Sequence, residues 1–353
     1  MLHTEGPVRA YHDRSDDIVE VFKDFGVTAD SMLHAVWFQD ELTVEKDKQC
    51  VLSILTPAQR HGVLYTLKLF SHYEVKAGTD FWRNRFTKIM KGPEFARLSS
   101  VYSMQELAIH KPFYQKINEV LGIDTNEFYS SYVDDPVLVD RMSCIDGVLN
   151  HKNDLVAMGG FSMVEGGILY SNFAYLKSFS ANGFNLIPTI CRGINFSIAE
   201  ESSHQSTSAQ CFRMLTAHAK EDGVYGHLYG SEEEVHRALR QLGHKIYEHE
   251  AAIIDRTLAL GEVEVTTGAD LRVFVQSRIN YCLQDLGVDP IFNTEQDNPI
   301  GDWFYDNTRG YKSNDFFAGI GAEYVRNWDE ESFVFEEFPD ELRGIGQQAL
   351  VTN

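Results

Sequence analysis

Residues 195–206 read NFSIAEESSHQS, and residues 103–114 read SMQELAIHKPFY. Each stretch places a carboxylate and an imidazole on one face of a helix. Glu201 and His204 are three residues apart, and Glu106 and His110 four. Two further carboxylates stand where an apolar stripe is due. Glu165 lies in FSMVEGGILYSNF, one turn after Phe161 and one turn before Ile168 and Leu169. Glu74 ends LTPAQRHGVLYTLKLFSHYE on the face that carries Leu67 and Phe70. Taken singly, a Glu beside an apolar stripe is a surface residue and a lone His a satisfied core polar group. The order speaks against that reading, because it runs Glu, Glu-plus-His, Glu, Glu-plus-His.

Glu74 and Glu106 are 32 residues apart, and Glu165 and Glu201 are 36 apart. Each interval suits half a helix out, a loop, and half a helix back, so each pair is expected to form an antiparallel hairpin. Two such hairpins facing one another bring four carboxylates and two imidazoles to the centre of a four-helix bundle. That is the ligand set of a di-metal carboxylate site. Hard oxygen donors with two imidazoles favour iron or manganese, and burying four anions with no cation among them is prohibitive. Glu106 and His110 depart from the i,i+3 pair usual in such bundles; a local π-bulge or a tilted helix is expected there.

The surrounding sequence is helical in pattern. The stretches 56–77, 97–121, 125–149, 152–180, 189–217, 229–260 and 268–286 carry apolar residues at helical spacing, with no competing run of alternating β-branched residues. Thr56 followed by Pro57 reads as an N-cap with Pro at the first helical position. The expected fold is an all-α bundle. After Asp289-Pro290 the pattern loosens, and residues 322–342 hold eight acidic residues against the single basic Arg326, with Phe333, Phe335 and Phe338 interleaved. Such a segment is either a solvated tail or a peptide that folds on a partner.

Composition narrows the function classes. The 353 residues carry 31 Lys+Arg against 52 Asp+Glu, a net charge of -21, which disfavours nucleic acid and anionic membranes as direct partners. Cys50, Cys144, Cys191, Cys211 and Cys282 form no CxxC pair and read as reduced thiols, so a cytoplasmic location is expected. The opening MLHTEGPVRAYHDRSDD is polar and shows no signal peptide, and no stretch reads as a membrane span. His227, His236, His244 and His249 contain no HExxH and read as a solvated face. Gly319 and Gly321 lack the third glycine of a dinucleotide loop.

Over roughly 34–324 the sequence resembles the small, radical-generating subunit of aerobic (class I) ribonucleotide reductase. The resemblance rests on Trp37 in WFQDELTV, on Leu55 through Glu74, on Tyr114 four residues after His110, on Glu165, on Glu200-Glu201 before His204, and on NDFFAGIGAEYVRNW around Tyr324. It implies a ferritin-like helical bundle over 51–289 with extra flanking helices, an N-terminal arm over 1–50, and a flexible, partner-docking C-terminal segment over 290–353. It implies an oxidoreductase, a ribonucleoside-diphosphate reductase small subunit active with its large subunit. The metal ligands carried over are Glu74, Glu106, His110, Glu165, Glu201 and His204. Tyr114 would bear a stable tyrosyl radical formed when the centre activates O2. Trp37, Glu200 and Tyr324 would relay it to the large subunit for reduction of ribonucleotides to deoxyribonucleotides. Glu74 and Glu200 stand where the family usually has Asp, and the first of these opens the way to a manganese–iron centre. With Tyr114 present, two iron ions are expected, with Mn/Fe and Mn/Mn the alternatives. A homodimer is also implied. The competing reading of the same ligand order is a di-iron acyl desaturase or hydroxylase, which calls for none of Tyr114, Trp37 and Tyr324 and needs an elongated apolar channel.

Overall fold

The computed structural model describes residues 7–305, apart from 182, 265, 295–297, 299 and 302; no β-strand occurs among the described residues. Tyr324 and the acidic segment 322–342 lie outside them. No helix among the described residues is long and apolar enough to cross a membrane.

Helix α1 (Lys23–His34) precedes the bundle and packs on α3 (Pro93–Met104), with Phe25 edge-on to Phe95 at 5.0 Å between centroids. Helix α2 (Pro57–Val75) begins as its sequence requires. Thr56 Oγ1 accepts from the Gln59 amide, Gln59 returns the bond to the Thr56 amide, and Pro57 fills the first position. Beyond Val75 the chain continues as a π-helix over Lys76–Phe86. The second arm runs α3, a π-helical turn over Gln105–His110, and α4 (Lys111–Leu121). Helix α2 touches Gln105–His110 and α4, while the π-helix after it touches α3. That nested order is an antiparallel hairpin.

The widened turn at Gln105–His110 has a visible cause. Pro112 offers no N–H, and its ring cannot lie against the Ala108 carbonyl in α geometry, so the preceding turn opens. A wider turn brings i and i+4 into line, which places Glu106 and His110 together.

Helix α5 (Pro136–Leu149) starts where Asp135 caps the Val137 amide, so 125–149 is interrupted at Asp135-Pro136. The second hairpin consists of α6 (Asp154–Gly167) and α8 (Pro188–Glu221), with α7 (Tyr170–Ser178) between them. Residues 152–180 thus form two helices and not one. Ile168 is extended and the buried Leu169 takes φ 70°, a left-handed conformation that costs a non-glycine residue roughly 1–3 kcal/mol. The break follows Gly166-Gly167. A Cβ on Gly166 would collide with Cys282 and Gln205, and its carbonyl accepts instead from Arg278 Nε at 3.1 Å. Helices α9 (Glu232–Thr257) and α10 (Gly268–Asp285) pack on α6 and complete the bundle.

Candidate metal centre

Four elements converge on one buried cluster. Helix α2 supplies Glu74, the π-turn Glu106 and His110, α6 Glu165, and α8 Glu201 and His204; none is more than 1% exposed. Their donor atoms form two overlapping groups within 4.8 Å: Glu74, Glu106, His110 and Glu201; and Glu106, Glu165, Glu201 and His204. Glu106 and Glu201 belong to both. The six residues singled out by spacing are therefore brought together as two positions that share two carboxylates.

Hydrogen bonds around the cluster fix the imidazoles. His110 Nε2 meets Glu200 Oε2 at 2.6 Å, and Trp37 Nε1 donates to the same oxygen at 3.0 Å. Gln105 Nε2 donates to Glu200 Oε1 at 2.9 Å, which leaves the Gln105 carbonyl oxygen to accept from His204 Nε2 at 3.1 Å. Both imidazoles thus carry their proton on Nε2, a tautomer assigned from this network. The lone pair of His110 Nδ1 then faces Glu106 at 3.1 Å, Glu201 at 3.2 Å and Glu74 at 3.5 Å. The lone pair of His204 Nδ1 faces Glu106 at 2.9 Å and Glu201 at 3.4 Å. Lone pairs aimed at carboxylate oxygens repel unless a cation stands between them.

The orphaned atoms say the same. Both oxygens of Glu74, both of Glu201, Glu106 Oε1 and His204 Nδ1 are buried with no hydrogen-bond partner. Burial, reinforced by the charge of Glu106, pushes the Glu74 carboxyl well above its usual range; burial and the charge of Glu201 do the same to Glu165. Burial alone would lower His204, yet the surrounding carboxylates raise it to about 9. Without metal, protons must do the neutralising; two divalent ions fit the donor set in their place.

Tyr114 and Trp37 are both buried among aromatic rings. Tyr114 is fully buried, stacked on Phe70 at 4.5 Å and against Phe113 at 5.2 Å. Its hydroxyl, with Ser197 as polar neighbour, makes no hydrogen bond. Burial and the charge of Glu74 hold the phenol well above its ordinary pKa. Trp37 is fully buried, stacked on His110 at 6.4 Å and edge-on to Phe113 at 5.4 Å.

Three residues beside the cluster escaped the sequence reading: Gln105, Tyr73 and Trp82. Tyr73 Oη donates to Glu165 Oε2 at 2.7 Å, and Trp82 Nε1 donates to Glu165 Oε1 at 2.9 Å. One expectation is corrected outside the site. His227 and His244 are exposed, but His249 is buried at 5% exposure and bonded to Asp140 at 2.8 Å, because it sits on the face of α9 turned toward α5.

Comparison with known proteins agrees with this geometry. The family model for "Ribonucleotide reductase, small chain" matches residues 23–299. A protein of invertebrate iridescent virus 3, named as a ribonucleoside-diphosphate reductase small subunit, is 23% identical over 316 residues, spanning 84% of this chain and 80% of its own. Among solved structures, the ribonucleotide reductase R2 subunit from Clostridium botulinum superposes with a TM-score of 0.71 at 17% identity, covering 87% of this chain and 97% of that one. The dimanganese(II)-NrdF of Streptococcus sanguinis gives 0.68 at 16% identity, covering 82% and 98%. The Rnr4 homodimer of Saccharomyces cerevisiae gives 0.65 at 14% identity, covering 86% and 91%. The matched span contains every residue of the buried cluster, and the chain belongs to the ribonucleotide reductase small-chain family of oxidoreductases, with its R2-like ferritin fold.

Proposed function

We propose that this chain is the radical-generating small subunit of a class I ribonucleotide reductase. Glu74 and His110 would hold one metal ion and Glu165 and His204 the other, with Glu106 and Glu201 within reach of both. Bound there, an iron or manganese pair supplies the oxidising power that O2 reduction makes available. The protein's own groups do the rest. Tyr114 gives up one electron and its phenolic proton and keeps the radical in a dry pocket, where Phe70 and Phe113 shut out water and reductants. Glu200 receives the Trp37 indole N–H and the His110 imidazole N–H on one oxygen, so it orients the imidazole and joins the cluster to the outward path. From Trp37 the oxidising equivalent passes by way of Tyr324 on the C-terminal segment, which hands it to the large subunit. Ribonucleotide reduction takes place in that partner. By analogy with its relatives the chain acts as a homodimer.

The observation that carries this reading is the continuous hydrogen-bonded line Trp37–Glu200–His110 ending on four buried carboxylates, with a dry tyrosine next to Phe113 and Phe70. The acyl desaturase or hydroxylase reading calls for the same carboxylates but for neither Tyr114 nor Trp37.

The test is low-temperature EPR after anaerobic loading with Fe(II) and exposure to O2. The wild-type protein is expected to show a tyrosyl signal near g ≈ 2 that a radical scavenger removes. Tyr114→Phe is expected to bind the same metal and consume O2 but give no stable tyrosyl signal. A persistent tyrosyl radical in that variant would contradict the assignment.

A further inference from the structure

Glu165 is held differently from the other carboxylates of the cluster. Each of its oxygens accepts a hydrogen bond from a neutral, buried aromatic donor, Tyr73 on Oε2 at 2.7 Å and Trp82 on Oε1 at 2.9 Å. Both oxygens of Glu74 and both of Glu201 have none, and Glu106 lacks one on Oε1. A carboxylate with a donor on each oxygen keeps a lone pair on each for a metal, yet cannot rotate without breaking two bonds. No hydrogen bond restrains Glu74 in this way. The two positions are therefore unlike before any ion arrives.

Tyr73 has an unusual reach. It is the residue immediately before Glu74 in α2, and consecutive helical side chains diverge by about a quarter-turn. Glu74 turns toward His110, at 3.5 Å, while the Tyr73 hydroxyl reaches across to Glu165 on α6. One helical turn thus contributes a ligand candidate to one position and an orienting donor to the other.

We propose that Tyr73 is a positioning residue: its hydroxyl fixes the orientation of Glu165 and thereby sets the metal affinity of the Glu165–His204 position independently of the Glu74–His110 position. This rests on the di-metal reading of the cluster. Residues that orient a ligand typically change metal affinity by about 10–100-fold when removed. Loss of the Tyr73 hydroxyl therefore acts on one ion of the pair.

The experiment is Mn(II) titration of the full-length, metal-free protein, with free Mn(II) followed by its aqueous EPR signal. Wild type is expected to take up two ions per chain. Tyr73→Phe keeps the buried ring, and one of its two affinities is expected to fall by about 10–100-fold while the other stays at the wild-type value. In a Glu165→Gln background the same change is expected to have no further effect, whereas in a Glu74→Gln background it persists. Incorporation of 3-fluorotyrosine at position 73 keeps both ring and donor and is expected to restore the wild-type isotherm. Two affinities unchanged in Tyr73→Phe, or both lowered together, overturn the proposal even if wild type binds two ions. A wild-type protein that takes up no Mn(II) overturns the di-metal reading, and this inference with it.

Discussion

At the scale of single residues, the site is organised by where each imidazole sends its proton. Gln105 links the two: it gives its amide N–H to Glu200, which takes the His110 Nε2–H, and its carbonyl to the His204 Nε2–H, so both Nδ1 atoms face the carboxylates. Gln105→Leu removes both bonds at once and leaves a buried His204 N–H and a buried Glu200 oxygen unpaired. Each orphan costs about 1–3 kcal/mol, so urea denaturation of the metal-free variant is expected to show a loss of about 3 kcal/mol. A loss below about 0.5 kcal/mol would mean that water or a rotated imidazole takes over the role. Lys177 supplies a pH-dependent case away from the cluster. It is almost fully buried, with its ammonium on the Phe304 carbonyl at 2.5 Å and over the Phe304 ring, and burial pushes its pKa down to about 7. The unfolded chain holds this proton up to about 10.5, so between about 7 and 10.5 it binds more protons than the folded chain. Stability from this group is complete above 10.5 and is lost as the pH falls through 7. Relative to Lys177→Met, wild type is expected to gain about 2 kcal/mol between pH 7 and pH 9; a difference that does not change with pH would contradict the burial argument. The six ligand candidates were legible in the sequence because helical spacing pairs Glu106 with His110 and Glu201 with His204, and the order along the chain adds Glu74 and Glu165. Gln105, Tyr73 and Trp82 were not, since their roles depend on which helix lies opposite. Gln105 and Tyr73 each sit next to a ligand candidate in sequence, a position that points to a different helix face.

At the scale of elements, departures from regular helix do most to position the site. The Glu106–His110 spacing announced a bulge, and the π-turn over Gln105–His110 provides it, with Pro112 just beyond. The break at Ile168-Leu169 was not announced. The apolar residues around it keep helical spacing on both sides, and the cause is tertiary: Arg278 from α10 takes the Gly166 carbonyl. Helix capping at Thr56 could be read directly because both partners lie within one turn. Glycine inside a helix is a weaker signal, yet Gly193 on α8 shows what it can mean. Glycine there costs about 1 kcal/mol of helix propensity relative to alanine, and a Cβ at that position would fall inside the Phe113 ring. Phe113 in turn packs between Trp37 and Tyr114. Gly193→Ala is expected to destabilise the protein by about 1–3 kcal/mol, as overpacking does, and to shorten the lifetime of the tyrosyl signal by displacing Phe113. Unaltered melting and radical decay in that variant would show that α8 can shift without disturbing the pocket.

At the scale of the whole molecule, the bundle encloses five buried carboxylates at its centre: Glu74, Glu106, Glu165, Glu200 and Glu201. The basic side chains that meet them are His110 and His204. The fold carries this charge at the expense of stability until cations arrive. An ion present at about 100 times its dissociation constant stabilises the folded state by about 2.7 kcal/mol, so two ions are expected to raise the melting temperature by about 10 °C over the chelated protein. Equal melting temperatures in Mn(II) and in chelator would mean that the cluster holds no metal. The fold class followed from helical periodicity, and the meeting of four distant segments followed from the order of Glu and His along the chain. Which carboxylates are shared did not follow, because it depends on side-chain placement across two hairpins.

The proposed function stands on two metal ions held side by side in one buried cluster. Anomalous diffraction from crystals grown with Fe(II) or Mn(II), collected on either side of the metal absorption edge, addresses it directly. Two peaks per chain are expected, one against Glu74 and His110 and the other against Glu165 and His204, with Glu106 and Glu201 reaching both. A single peak, or none within this ring of carboxylates, would contradict it.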